Sequence, residues 1–99
     1  MKKILFANWK MNASLNMVSK LVDSLVKYDN SNSELVIVPP FPYLTIVKTK
    51  LISSNIKLGA QNISQFEQGA YTGEVSGKML SELGVRYVII GHSERRQHF

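Results

Sequence analysis

The 99-residue chain contains no cysteine. That excludes a disulfide framework and any metal held by thiolates. Its two histidines, His92 and His98, and its scattered carboxylates lack the spacing of a metal-ligand cluster. Long apolar runs are missing as well, and none approaches the ~20 residues that cross a bilayer. At the start, Met1-Lys2-Lys3 leads into Ile4-Leu5-Phe6-Ala7, but Asn8 ends the run too soon for a signal-peptide core. Runs of one charge sign stop at pairs such as Lys2-Lys3 and Arg95-Arg96. There is thus no basic stripe of the kind that grips nucleic acid. Gly69-Ala70-Tyr71-Thr72-Gly73 holds two glycines at the spacing of neither phosphate-binding loop. Repeats, low-complexity segments and interdomain linkers are absent too. The expectation is a soluble, cytoplasmic protein with no membrane partner, no nucleic-acid partner and no metal. The length suits one small domain or a piece of a larger one.

What is present is a modest positive charge and a regular alternation of patterns. Twelve Lys and Arg against seven Asp and Glu give a net charge of +5, spread along the chain. Such a field is either an ordinary solvated surface or a means of steering a small anion such as a phosphate ester. Ile4–Ala7 reads as a buried strand. Ser14 can cap a helix in which Leu15, Val18, Leu21, Val22 and Leu25 recur at helical spacing, fading near Tyr28 to Asp29. Leu35-Val36-Ile37-Val38 is a β-branched run stopped by Pro39-Pro40, since proline cannot donate to a ladder. Pro42 suits a first helical turn, with Tyr43, Leu44, Ile46, Val47 and Leu51 as the apolar stripe behind it. Ile56–Ala60 reads as a third strand. The polar stretch Ile63–Gly73 reads as a long loop, and Val75–Leu83 as a helix closed by Gly84. Val85–Ile90 is the fourth strand.

The order is β-α-β-α-β-α-β, an α/β chain whose continuous apolar strands predict a parallel sheet buried on both faces. A doubly wound open sheet and part of a (β/α)8 barrel both fit this pattern. Both place function at the C-terminal ends of the strands, and the polar residues gather there. Asn8 and Lys10 follow strand one, Gln61 and Asn62 follow strand three, and His92, Ser93 and Glu94 follow strand four. Lys10 can bind an anion and stabilise negative charge developing on oxygen, or it is a solvated surface lysine. His92 can serve as acid, base or hydrogen-bond donor, or as a structural histidine bonded to backbone. The positive end of a following helix would keep its ring neutral. Ser93 can simply cap that helix, and Glu94 is stabilising in a first turn without any further role.

Taken together, four segments resemble the triosephosphate isomerase family. Ala7-Asn8-Trp9-Lys10-Met11-Asn12 is similar to its opening signature. Gly59-Ala60-Gln61-Asn62 resembles its third strand, and Gly69-Ala70-Tyr71-Thr72-Gly73-Glu74-Val75-Ser76 its interface loop. Ile90-Gly91-His92-Ser93-Glu94-Arg95-Arg96 resembles its fourth-strand signature. All four stand in the family's order over nearly the whole chain. The resemblance implies a homodimeric (β/α)8 enzyme of glycolysis and gluconeogenesis. It would interconvert dihydroxyacetone phosphate and glyceraldehyde 3-phosphate through an enediolate, without a cofactor. It further implies that His92 is the electrophile polarising the substrate carbonyl, as a neutral histidine, the role the family assigns it. Lys10 would bind substrate and stabilise negative charge, and Asn8 would position the substrate. Ser93 and Glu94 would support the site, and Thr72 would reach the partner subunit.

A whole barrel of this type takes about 250 residues. The resemblance therefore implies an N-terminal β-α-β-α-β-α-β portion, with residues 1–99 as an incomplete barrel domain. The family's glutamate base and Gly-rich phosphate-binding segments have no match in these residues. The expectation is that the 99 residues alone are inactive. The alternatives are a non-catalytic half-barrel that assembles with itself or another chain, or an unrelated doubly wound ligand-binding domain. A strand-order reversal beside strand one would mark the last of these.

Overall fold

The computed structural model describes residues 3–27 and 33–90. Strand β1, Lys3–Asn8, is followed by helix α1, Leu15–Leu25, and strand β2, Ser33–Val38. A 3-10 turn, Phe41–Tyr43, leads into helix α2, Leu44–Lys50, and strand β3, Lys57–Ala60. Helix α3, Gly77–Glu82, and strand β4, Val85–Val88, complete the described elements. The strands form one sheet in the order β1-β2-β3-β4, and every neighbouring pair is parallel. Each strand thus lies beside the next in sequence. Among the described residues no reversal occurs beside β1, so the doubly wound reading loses its marker, and the order is that of successive strands in a (β/α)8 barrel.

The sheet is strongly curved. In a flat sheet β1 and β4 would stand about 14 Å apart, at ~4.8 Å per strand, with side chains upright and out of mutual reach. Here the rings of Phe6 in β1 and Tyr87 in β4 meet edge to face at 5.6 Å. The Tyr87 hydroxyl also donates to Glu34 Oε2 in β2, at 2.7 Å, reaching across β3. Gly59 makes room for this curl. A Cβ there would lie 2.9 Å from Val38 Cγ2 and 3.0 Å from Val36 Cγ1. Next to it, the pairing of β3 with β4 shifts register between Leu58 and Gly59, the kind of irregularity that bends a sheet.

The opposite face carries the helices. Leu35 and Ile37 from β2, with Leu58 and Ala60 from β3, pack with Val18 and Val22 of α1, Leu44 and Val47 of α2, and Leu80 of α3. Val18, Val22, Ile37 and Val47 are wholly buried, and each such side chain contributes about 1.5–3 kcal/mol of apolar burial. A surface ion pair, Lys50 Nζ to Asp23 Oδ1 at 3.2 Å, joins α2 to α1.

Element ends differ from the sequence expectation where burial or a cap decides them. Helix α1 ends at Leu25, with the Val26 N–H donating to Val22 O, rather than continuing to Tyr28–Asp29. The next residue, Val26, is exposed and adds nothing to the buried stripe. In α2 the buried stripe is Leu44, Val47 and Leu51, while Ile46 lies off that face and is exposed. Helix α3 begins at Gly77 and not at Val75, because the Ser76 side chain accepts from the Met79 N–H and fixes the start there. Ile56 is buried but precedes β3, its N–H donating to Ser54 Oγ. Strand β4 ends at Val88, although one further ladder bond, Ile89 N–H to Ala60 O at 3.0 Å, extends the pairing.

Candidate active site

Four parallel strands send their C-terminal ends to one rim. Asn8 closes β1, Val38 closes β2, and Gln61 follows β3 directly. Pro39 follows Val38 and has no N–H to continue a ladder. The Val38 carbonyl still accepts the last ladder bond from Trp9 N–H, at 3.0 Å, and accepts as well from Gln61 Nε2, at 3.1 Å. Trp9 is buried and anchors the turn that follows β1.

That turn spans Trp9–Asn12 and is closed by the Asn12 N–H donating to Trp9 O at 3.1 Å. Lys10 is its first central residue and sits at φ 54°, alone among the described non-glycine residues in having a positive φ. The left-handed region costs an L-residue with a side chain roughly 1–2 kcal/mol, so the surroundings must hold it there. Two polar side chains do so. Asn8 Oδ1 accepts from the Lys10 N–H at 2.9 Å, an Asx turn of the kind that stabilises tight bends. Gln61 Nε2 donates to the Lys10 carbonyl at 2.7 Å. Both backbone polar groups of Lys10 are thereby tied by side chains. The Lys10 side chain is exposed at the rim.

The structure therefore brings Asn8 and Lys10 together and adds Gln61, which the sequence placed at the same strand ends without giving it a role. His92, Ser93 and Glu94 lie outside the described residues. Thr72 is apart from this cluster, exposed on the loop after β3. The Ser64 N–H donates to Val75 O at 2.8 Å and pins the two ends of that loop. At its tip the Glu74 N–H donates to Tyr71 O at 2.9 Å, around Thr72 and Gly73. Gly73 has φ 87°, as the third residue of a type II turn requires. Phe66 and Tyr71 stack with parallel rings at 4.2 Å, and both are exposed. The polarity of the loop was legible in the sequence, while this aromatic pair was not legible as a contact.

The model of the triosephosphate isomerase family matches residues 3–99. The chain belongs to the triosephosphate isomerase family. The triosephosphate isomerase of Thermoanaerobacter sp. (strain X514) is 48% identical over an alignment of 99 residues that covers 99% of this chain and 40% of the relative. That of Azoarcus sp. (strain BH72) is 48% identical over 97 residues, covering 98% of this chain and 39% of the relative. That of Mesomycoplasma hyopneumoniae (strain 232) is 44% identical over 109 residues, covering all of this chain and 43% of the relative. The chain thus spans about two fifths of the length of the curated relatives it matches. Among the described residues no helix is long and apolar enough to cross a membrane. Nor does any group of three or more His, Cys, Asp or Glu among them stand where it could hold a metal ion.

Proposed function

We propose that residues 1–99 form the N-terminal portion of the barrel domain of a triosephosphate isomerase. It would act on dihydroxyacetone phosphate and glyceraldehyde 3-phosphate in cytoplasmic glycolysis and gluconeogenesis. The observation that carries the reading is the turn after β1, where Asn8 holds Lys10 in a left-handed conformation at the rim. Strain retained at one lysine on the functional edge of a sheet fits a group whose position matters more than its local stability.

In this reading the Lys10 ammonium binds the anionic substrate and stabilises negative charge on the enediolate oxygen. Asn8 sets the position of that ammonium through the turn. His92 follows β4 by sequence and polarises the carbonyl as a neutral hydrogen-bond donor, as in the family. Ser93 and Glu94 support it. The reaction moves one proton between adjacent carbons through a carboxylate base, for which these 99 residues supply no matching glutamate. No cofactor takes part. Thr72, on its preorganised loop beside the exposed Phe66–Tyr71 stack, contacts the second subunit of a homodimer.

The test is an isomerisation assay on the chain as encoded and on a polypeptide of residues 1–99. Lys10→Met and His92→Gln are the controls. The encoded chain should turn over glyceraldehyde 3-phosphate, with each substitution lowering kcat/KM at least a hundredfold, while residues 1–99 alone should give no turnover above background. An encoded chain indifferent to Lys10→Met would remove the site. Appreciable turnover by residues 1–99, abolished by His92→Gln, would overturn the requirement for a base elsewhere.

A further inference from the structure

Gln61 stands at the meeting point of three strand ends, and neither its sequence motif nor the proposed chemistry assigns it a task. Its side-chain amide has two N–H donors, and both are used on backbone. One reaches the Lys10 carbonyl at 2.7 Å and the other the Val38 carbonyl at 3.1 Å. The first partner lies 51 positions away in sequence and the second 23. The turn is held from one side by Asn8, within β1 itself. Gln61 holds it from the other side, and it directly follows β3.

Lys10 has the sole positive φ among the described residues other than glycine. A residue in that region relaxes when the contacts that impose it are removed. Loss of the 2.7 Å bond releases the Lys10 carbonyl and lets the residue leave the left-handed region, and the change of φ redirects its side chain relative to β1. The second bond makes the tether stiff, because the same amide is fixed to the end of β2. A glutamine suits this place where a glutamate would not: an ionised carboxylate accepts only, and here it would face two carbonyl oxygens.

We infer that Gln61 is a positioning residue that holds the Lys10 turn in its left-handed conformation, and so sets where the lysine ammonium meets an anionic substrate. This rests on the reading of Lys10 as the substrate-binding lysine. Gln61 does not touch the substrate; it acts through the Lys10 backbone.

The experiment is a double-mutant cycle in the chain as encoded, with Gln61→Met, Gln61→Glu and Lys10→Met, singly and combined. Measurements are kcat and KM for glyceraldehyde 3-phosphate, the affinity for inorganic phosphate, and the Cα chemical shift of Lys10 in lysine-labelled protein. Gln61→Met should lower kcat/KM about tenfold, the scale of losing one or two neutral hydrogen bonds. Gln61→Glu should lower it at least as much, despite its matching size. Both should move the Lys10 Cα shift out of its left-handed range. In the Lys10→Met background, Gln61→Met should cost less than a further twofold, because residues that act through one another are not additive.

Full additivity, or an unmoved Lys10 shift in both variants, would overturn the inference. If Lys10→Met has no effect while Gln61→Met still moves the Lys10 shift, the site reading fails and the backbone tether stands. Should Gln61→Met not fold, Gln61→Asn, with its amide one methylene short, replaces it in the cycle. It should give a smaller loss with the same non-additivity, and additivity there again overturns the inference.

Discussion

Replacing Gly59 by alanine tests whether packing inside the curved sheet sets the fold's tolerance. Gly59 is buried in β3 and is not among the glycines with positive φ, so alanine meets no backbone objection. The objection is spatial. Its Cβ would stand 2.9 Å from Val38 Cγ2, 3.0 Å from Val36 Cγ1 and 3.4 Å from the Tyr87 carbonyl oxygen. Carbon atoms rest at about 3.5–4.0 Å, so the two methyl groups must retreat by about half an ångström. Neither can do so easily. Both valines are wholly buried, their χ1 angles are stiff, and β2 is held between β1 and β3.

Overpacking of this kind costs about 1–3 kcal/mol, while replacing glycine restrains the unfolded chain and returns about 0.4–1 kcal/mol. A net loss of about 1–2 kcal/mol follows. With an m-value of about 1–3 kcal/mol/M, the urea midpoint should fall by about 0.5–1 M at unchanged slope. Trp9, the single tryptophan, is buried and reports the transition by fluorescence. Gly77→Ala is the control, because the Cβ there meets only the flexible tip of Ile63, Cδ1 at 3.0 Å. It should stay within about 0.5 kcal/mol of the parent. A Gly59→Ala midpoint equal to or above the parent's would refute the packing argument.

Three further outcomes follow from particular contacts. Ser76→Ala, removing a buried cap from the Met79 N–H, should destabilise by about 1 kcal/mol, and by more than Ser14→Ala at the exposed cap of α1, in parallel urea titrations. Gly84→Ala places a side chain at φ 80° after α3 in otherwise open space, with Lys48 Cε at 3.6 Å, so its cost of about 1 kcal/mol should be purely conformational and Gly84→Asn should recover part of it. The Tyr87 phenol donates to Glu34, and this hydrogen bond is the main reason its pKa is raised above the ordinary tyrosine value. A raised folded-state pKa stabilises the protein below the unfolded value near 10, and that contribution is lost as pH rises through the folded value; absorbance titration at alkaline pH should show one late-ionising tyrosine that Glu34→Gln moves downward.

Much of the fold was legible because it depends on local pattern. Leu35–Val38 is apolar enough for a strand buried on both faces, and Pro39-Pro40 stops it where the observed β2 stops. Ser14 caps α1 as its position suggests. The helix ends were less legible, since whether Val26 or Ile46 is buried depends on which neighbour stands over it. Strand order was not readable from periodicity, which suits open and barrel sheets alike; the resemblance favoured the barrel and the sequential pairing agrees with it. At the site, the sequence identified Asn8 and Lys10 as rim residues. It could not show the left-handed turn at Lys10, because lysine carries no preference for positive φ, nor the bond to Gln61, which joins residues 51 positions apart. Asn8, two residues before Lys10, was the one local clue to a turn.

The curvature of the sheet and the geometry of the rim have a common origin in Val38. Its side chain is one of the two that occupy the space a Cβ on Gly59 would take, which allows β3 to lie close against β2. Its carbonyl accepts the last ladder bond from β1, Trp9 N–H, and also the Gln61 Nε2 donor. The close approach of β3 is what brings the Gln61 amide within reach of that oxygen and of the Lys10 carbonyl together. A substitution that pushes β3 outward should therefore reach the site without touching it. If that linkage holds, Gly59→Ala should shift the Lys10 Cα resonance in the same direction as Gln61→Met, whereas Gly77→Ala, of similar chemistry on the helix side, should leave it in place. An unmoved Lys10 resonance in a destabilised Gly59→Ala protein would separate the two and show that the rim is held independently of the packing beneath it.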